Sequence, residues 1–378
     1  TNSKAVTITV TNVNEAPTLT SASSATVNEN VTGTVYTVTG TDPDAGTTLS
    51  YSISGTDASL FNIDSSTGAI TFKTSPNYES PSDAGSNNVY NITVTASDGT
   101  LTNSKAVAIT VTNVNETPTD IALSASSVAE NQSSGTTVGT FSTTDPDTGN
   151  TFTYTLVSGT GDTDNASFTI ESGVLKTAAS FDYETKSSYS IRVRSTDQGG
   201  LYTEKTFTIT VTNVNEAPTV TSGSTATFAE NGTGTVYTTT GSDPDAGTTL
   251  SYSISGTDAS LFNIDSSTGA ITFKVAPNYE SPSDSGGNNV YDITVTASDG
   301  TLTNSKAVAI TVSNVNETPT DIALSSSSVA ENQSSGTTIG NLSTTDPDAG
   351  NTFTYTLVSG TGDTDNASFT IESGVLKT

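Results

Sequence analysis

The side chains able to do chemistry in this 378-residue chain are nearly all carboxylates, amides and hydroxyls, and the carboxylates recur at fixed places. One stretch shows the pattern. Glu130 falls in Ala-Glu-Asn, Asp145 and Asp147 in Asp-Pro-Asp, Asp182 and Glu184 in Phe-Asp-Tyr-Glu, and Asp197 in Thr-Asp-Gln-Gly-Gly, after which come Asn213, Asn215 and Glu216. The chain has no His and no Cys. That excludes an imidazole base, a thiol nucleophile, Cys- or His-ligated zinc and disulfides. Oxygen ligands suit hard cations, so Ca2+ is the metal this composition fits. Paired carboxylates also serve glycosidases as acid and base. Here the pairs recur in every repeat at turns and linkers, which leaves a glycosidase-type enzyme the least supported reading.

With 39 acidic and 11 basic residues the formal charge is −28, which repels nucleic acid and anionic lipid. No apolar run approaches the ~18 to 20 residues of a membrane-spanning helix, and residues 1–30 lack a signal peptide's basic start and apolar middle. The expectation is no nucleic acid partner and no direct membrane insertion by this segment.

The elements that must position these groups come in repeats. Asn-Val-Asn-Glu begins at Asn12, Asn113, Asn213 and Asn314. Residues 14–114 match 215–315 with 14 differences, and 115–177 match 316–378 with 5. The reading is an array: 1–13 as the end of a preceding repeat, 14–114 as repeat A, 115–214 as B, 215–315 as A′, and 316–378 as a truncated B′. Both ends fall inside a repeat, as expected of a window on a longer array.

Each repeat reads as all-β. Leu49, Tyr51 and Ile53 alternate with polar residues, as do Tyr90, Ile92, Val94 and Ala96, and Val107, Ile109 and Val111, the period of a strand with one buried face. Turn signals separate the runs at Asp42-Pro43-Asp44-Ala45-Gly46, Ser66-Thr67-Gly68 and Asp98-Gly99. About seven strands in ~100 residues predict a Greek-key β-sandwich. Asp57 to Leu60 can form one helical turn. Lys4, Lys105 and Lys306 lie in last strands, where an intramolecular isopeptide bond is conceivable.

In the joint order of these motifs the sequence resembles the cadherin repeat. That family's pattern is an early Glu, a DxD loop followed by Gly, a DxE motif after the fourth strand, a DxG turn and an Asp-rich linker ending in Pro. The flanking runs agree: Thr153 to Leu156, Phe168-Thr-Ile with Gly173 and Leu175, and Tyr189 to Thr196. The Val-Asn-Glu-Ala-Pro ending is similar to that of cadherin-like arrays in bacterial surface proteins. The resemblance implies tandem Ig-like sandwiches arranged end to end as a rod, with calcium sites at the junctions.

Carried over by position, the resemblance implies these ligands. At the A/B junction they are Glu29, Asn77, Glu79, Asn113, Asn115 and Glu116 from the earlier repeat, with Asp145, Asp147 and Asp197 from the later one. At B/A′ they are Glu130, Asp182, Glu184, Asn213, Asn215 and Glu216 with Asp243, Asp245 and Asp299. At A′/B′ they are Glu230, Asn278, Glu280, Asn314, Asn316 and Glu317 with Asp346 and Asp348. The first junction has Asn12, Asn14 and Glu15 with Asp42, Asp44 and Asp98. Two to three Ca2+ per junction would offset the repulsion among six carboxylates at A/B and seven at B/A′. The family's linker aspartates are replaced here by Asn113 and Glu116, and Asn77 and Asn278 stand where B has Asp182. Fewer charges imply weaker binding at the A-derived junctions.

The function expected is an extracellular, cell-surface array whose calcium sites stiffen a spacer or adhesive rod. Its partners would be neighbouring repeats, with other copies of itself or a cell-surface receptor beyond them. The alternative is a self-associating subunit of a surface filament, sheath or matrix fibre. The absence of Trp excludes the Trp-exchange adhesion of the vertebrate relatives.

Overall fold

The computed structural model describes residues 1–378. They form two compact units, Thr1–Thr212 and Asn213–Thr378.

In repeat A of the first unit the strands are β1 (Thr18–Leu19), β2 (Ser24–Asn28), β3 (Thr34–Thr37), β4 (Gly40–Thr41), β5 (Ser50–Ser54), β6 (Phe61–Ile63), β7 (Ala69–Phe72), β8 (Val89–Ser97) and β9 (Thr102–Thr112). One sheet has the order β2-β9-β8-β5 and the other β3-β7-β6, with β1 and β4 pairing as a short ribbon. In repeat B they are β10 (Asp120–Leu123), β11 (Ser127–Ala129), β12 (Thr137–Thr144), β13 (Thr153–Leu156), β14 (Phe168–Glu171), β15 (Val174–Thr177), β16 (Ser188–Thr196) and β17 (Tyr202–Thr212). Their sheets run β10-β12-β15-β14 and β11-β17-β16-β13. Nine and eight strands replace the seven expected because the first strand of each repeat is split and, in A, the second is also split, into β3 and β4. In B its first half, β10, pairs antiparallel with β12 and its second half, β11, crosses to run parallel to β17.

The alternating residues do form the core. Tyr90, Val94, Ala96 and Ile109 are fully buried and Ile92, Val107 and Val111 nearly so, facing Phe61 and Ile70 of the opposite sheet. Each strand thereby hides one face and shows threonine and serine on the other. The helical turn is present as a single 3-10 turn at Ala58–Leu60. Lys105 donates its ammonium to the carbonyls of Ser21 (2.7 Å) and Leu19 (3.5 Å), and Lys306 to that of Ser222 (2.6 Å). These lysines tie down the loop after the first half-strand instead of facing an isopeptide partner.

Parallel pairing of the second half-strand positions the chemistry. Asn28 lies opposite Thr112 at the end of β9, and the Glu29 N–H donates to the Thr112 carbonyl at 3.0 Å. Glu29 therefore sits where the chain leaves the sandwich for the next linker. The Asp-Pro-Asp loop after β4 and the Asp98 turn between β8 and β9 lie at the opposite end, the full length of β9 away. Every sandwich thus has one kind of acidic set at each end.

The second unit repeats this plan. Thr225–Ala229 runs parallel to Thr303–Ser313, which pairs with Val290–Ser298, itself paired with Ser251–Ser255. Beyond it, Asp321–Leu324, Thr338–Thr345, Val375–Lys377 and Thr370–Glu372 form one four-stranded sheet.

Gly68 and Gly99 both need positive φ, at 71° and 98°. Only Gly68 is also crowded: an added Cβ would meet the Val38 carbonyl oxygen at 2.3 Å, whereas at Gly99 nothing lies within 4 Å. Gly99→Ala should cost about 1 to 2 kcal/mol of backbone strain, and Gly68→Ala clearly more. Urea unfolding of both variants checks this; equal midpoints would contradict it.

Candidate metal centre

At the A/B junction the buried Glu29 carboxylate, 3% exposed, is held on both sides by main-chain donors. Its Oε2 accepts the Tyr78 N–H and its Oε1 the Val114 N–H, each at 2.9 Å. It thereby joins the loop after β7 to the start of the linker. Glu79 follows Tyr78 and Glu116 ends the linker, so one oxygen each of Glu29, Glu79 and Glu116 lie within 4.8 Å of one another. At an effective dielectric of about 20, unit charges that close repel by roughly 3 kcal/mol or more per pair.

The following repeat brings its own carboxylates to the linker. The Glu116 N–H donates to Asp147 Oδ2 at 2.7 Å, the Asn115 amide to Asp197 Oδ2 at 2.9 Å, and the Asp147 N–H to Asp145 Oδ1 at 2.9 Å. The second unit reproduces the arrangement. Glu230 Oε2 and Oε1 accept the Tyr279 and Val315 N–H groups at 2.7 and 2.8 Å, and Glu317 donates its N–H to Asp348 Oδ2 at 2.6 Å. Glu230, Glu280 and Glu317 form the matching triad within 4.8 Å.

The remaining positions make contacts within their own unit. Glu130 is buried and accepts the Tyr183 N–H at 2.8 Å. On the second unit, the Glu216 N–H donates to Asp245 Oδ2 at 2.9 Å, the Asn215 amide to Asp299 Oδ2 at 2.8 Å, and the Asp245 N–H to Asp243 Oδ1 at 3.0 Å. The segment before repeat A makes the same contacts: Asn12 with Asp44, Asn14 with Asp98 at 2.7 Å, and the Glu15 N–H with Asp44 Oδ2 at 2.9 Å. Asp42 Oδ1 in turn accepts the Asp44 N–H at 2.8 Å.

Several expected ligands also bond within their own loop or linker. Asn77 and Asn278 each accept, through Oδ1, the N–H three residues on, at 2.7 and 2.6 Å. Asp182 does the same for Thr185 at 2.9 Å. These three side chains close a turn beside Glu79, Glu280 and Glu184. Asn113 and Asn213 are exposed where the linkers begin, Asn314 reaches Glu280 at 3.2 Å, and Asn316 bonds to the Glu317 carbonyl at 3.1 Å.

The residues fit a hard cation by a direct criterion. Buried carboxylate oxygens without a hydrogen-bond partner include Asp42 Oδ2, Glu79 Oε2, Glu116 Oε2, Asp145 Oδ2 and Asp147 Oδ1 in the first unit. In the second they include Asp243 Oδ2, Glu280 Oε2, Glu317 Oε2 and Asp346 Oδ2. Every one belongs to a residue expected to bind calcium. Asp147 and Asp348 are only 6% and 8% exposed. A buried acceptor without a donor is costly, and oxygens 4.8 Å apart are separated by about twice a Ca–O distance.

Two further buried carboxylates were not legible as special. Asp57 accepts the Ala84 and Asn91 N–H groups at 2.8 and 2.7 Å, and Asp83 those of Asn87 and Asn88 at 3.1 and 3.0 Å. With all four oxygens satisfied by main-chain donors they are loop fasteners. Their only sequence signal is recurrence in both A repeats, as Asp258 and Asp284.

Electrostatics divides the junction groups. Burial, then the charges of Glu29, Glu116 and Asp147, pushes the Glu79 carboxyl above its usual range. Burial, then Glu230 and Glu317, does the same to Glu280. Asp98 is held low by the Thr100 and Leu101 N–H groups and Asn14, and Asp299 by Asn215 with the Leu302 and Thr301 N–H groups. An acid whose folded pKa is raised binds more protons folded than unfolded between the two pKa values, so stability falls as pH rises through that interval. In chelator, the Glu79 and Glu280 contribution should therefore make the protein melt higher near pH 5 than at pH 7. Below that, protonation of Asp98 and Asp299 reverses the trend. Thermal melts of the protein and of the pair Glu79→Gln and Glu280→Gln check this; a rise that persists in the double variant would contradict it.

The cadherin domain family model matches residues 23–114 and 124–212. Human Protocadherin Fat 4 is 31% identical over 232 residues, 59% of this chain and 4% of that protein. Bovine Cadherin-18 is 30% identical over 294 residues, 68% of this chain and 36% of that protein. This chain therefore spans a small part of its curated relatives. Among solved structures, the protocadherin GammaB4 extracellular domain superposes with a TM-score of 0.63 at 21% identity, covering 96% of this chain and 61% of that one. Mouse Cadherin-23 EC22–24 gives 0.58 at 23% identity, covering 80% of this chain and all of that one. These structures share the fold. Residues 23–114 and 124–212 thus match two successive cadherin domains.

Proposed function

We propose that the chain is a calcium-stiffened extracellular array that spaces or links structures at a cell surface. The observation that carries this is the set of buried carboxylate oxygens left without donors at each junction. Glu29, Glu79, Glu116, Asp145, Asp147 and Asp197 would hold two to three Ca2+ at A/B, with Asn115 fixing the linker. Glu230, Glu280, Glu317, Asp346 and Asp348 would do so at A′/B′. Ligands drawn from two successive repeats make the ion a clamp, favouring the one linker geometry that satisfies both sides. Pinned by backbone N–H groups and repeated at every junction, these carboxylates act as ligands and not as an acid and base pair. The Val-Asn-Glu-Ala-Pro endings and near-identical alternating repeats support a place among bacterial surface proteins, where repetition sets length.

A second reading is self-association into a filament or fibre. It is favoured by the likeness to the protocadherin gammaB7 EC3–6 cis-dimer, at a TM-score of 0.58 and 22% identity.

Calorimetric titration of the whole chain should show calcium uptake with dissociation constants of about 0.1 to 1 mM. Glu79→Gln with Glu280→Gln keeps the fold, because Glu79 Oε2 and Glu280 Oε2 have no donor to lose. That double variant should bind calcium at least about tenfold more weakly at two junctions, melt higher than the parent in chelator, and lose most of its stabilisation by calcium. No heat of binding in the parent chain would sink the reading.

A further inference from the structure

The linker glutamate is an unusual ligand to hold still, since it has one more rotatable bond than aspartate. Each triad nevertheless has one linker-glutamate oxygen facing its partners. In both A repeats one oxygen of that glutamate is gripped by the residue after the early glutamate. Asn30 Nδ2 donates to Glu116 Oε1 at 2.8 Å, and Asn231 Nδ2 to Glu317 Oε1 at 2.6 Å. Neither asparagine belongs to the set of expected ligands.

The backbone there is built for this contact. Asn30 and Asn231 have φ of 58° and 56°, the left-handed region that Asn tolerates better than other side-chain-bearing residues. Their N–H groups donate to the carbonyls of Pro76 and Pro277 at 2.9 and 2.8 Å. Besides the Glu29 N–H bond to β9, Glu29 and Asn30 together thus make four bonds, two to the loop after β7 (Tyr78 N–H, Pro76 carbonyl) and two to the linker (Val114 N–H, Glu116 carboxylate). Glu230 and Asn231 make the same four. The amide donates to Glu116 Oε1 and leaves Oε2, which is buried and has no hydrogen-bond partner, as the oxygen offered to a cation. An aspartate at that position would present an acceptor to an acceptor and add a charge.

We propose that Asn30 and Asn231 are positioning residues of the A/B and A′/B′ calcium centres, each orienting its linker glutamate without touching the ion. The inference rests on the calcium reading above. It distinguishes these asparagines from the loop-closing Asn77 and Asn278, whose amides do not reach the linker glutamates.

The test is calcium calorimetry on the full chain carrying Asn30→Gly and Asn231→Gly. Glycine accepts positive φ at no steric cost, so the chelator melting temperature should be unchanged. Calcium affinity at the two affected junctions should fall roughly tenfold, the scale set by partners that orient a metal ligand. Asn30→Asp with Asn231→Asp should weaken it as well while retaining the backbone geometry. In a chain already carrying Glu116→Gln and Glu317→Gln, the glycine changes should add little, because they act through those side chains. Wild-type affinity in both asparagine variants, or full additivity with the glutamine changes, overturns the proposal while leaving the calcium reading standing. Absence of calcium uptake by the parent chain overturns both.

Discussion

Like charges held close together by the backbone are the constraint on which the rest depends. Glu29 cannot swing away from Glu79 and Glu116, because the Tyr78 and Val114 N–H groups hold both its oxygens. Those donors are where they are because β2 runs parallel to β9 and delivers Glu29 to the point where the chain exits. The sandwich stabilises an arrangement its own electrostatics opposes, and a divalent cation would resolve the conflict. The same reasoning explains why Glu79 and Glu280 are the groups whose protonation burial and neighbouring charge favour.

The two ends of each repeat divide the work. One end carries the early glutamate and the loop after the fourth strand, and the other the Asp-Pro-Asp loop and the Asp-Gly turn. Neither end holds a complete donor set. The linker joins them through its own backbone, since the Glu116 N–H bonds to Asp147 and the Glu317 N–H to Asp348. Even without a cation the linker is therefore tied to the following repeat, as it is to the preceding one through Glu29 and Asn30, and a cation would draw the carboxylates of both sides together. The net charge of −28 is in large part a property of these junctions and not of the surface at large.

Much of this was legible in the sequence because it is periodic. Alternation at Tyr90 to Ala96 and Val107 to Val111 located the buried faces, and recurring acids located the sets at the repeat ends. What stayed hidden depends on conformation that pattern does not encode. The split first strand was invisible because Thr18–Leu19 and Ser24–Asn28 carry no break stronger than an ordinary loop. Asn77 and Asn278 are expected as ligands by position, and nothing in the pattern shows that their side-chain carbonyls also cap a turn. Asn30 and Asn231 carry no sequence signal beyond following the early glutamate, because their use rests on a positive φ. Asp57 and Asp83 gave no sign of burial, since main-chain N–H groups alone satisfy them.

The central claim is that cations at the junctions fix the geometry between successive repeats. Small-angle X-ray scattering of the whole chain, recorded in millimolar calcium and again in chelator, tests it most directly. The account predicts a larger maximum dimension and a stiffer profile with calcium, both reversed by chelation. A maximum dimension and flexibility unchanged between the two conditions would contradict it.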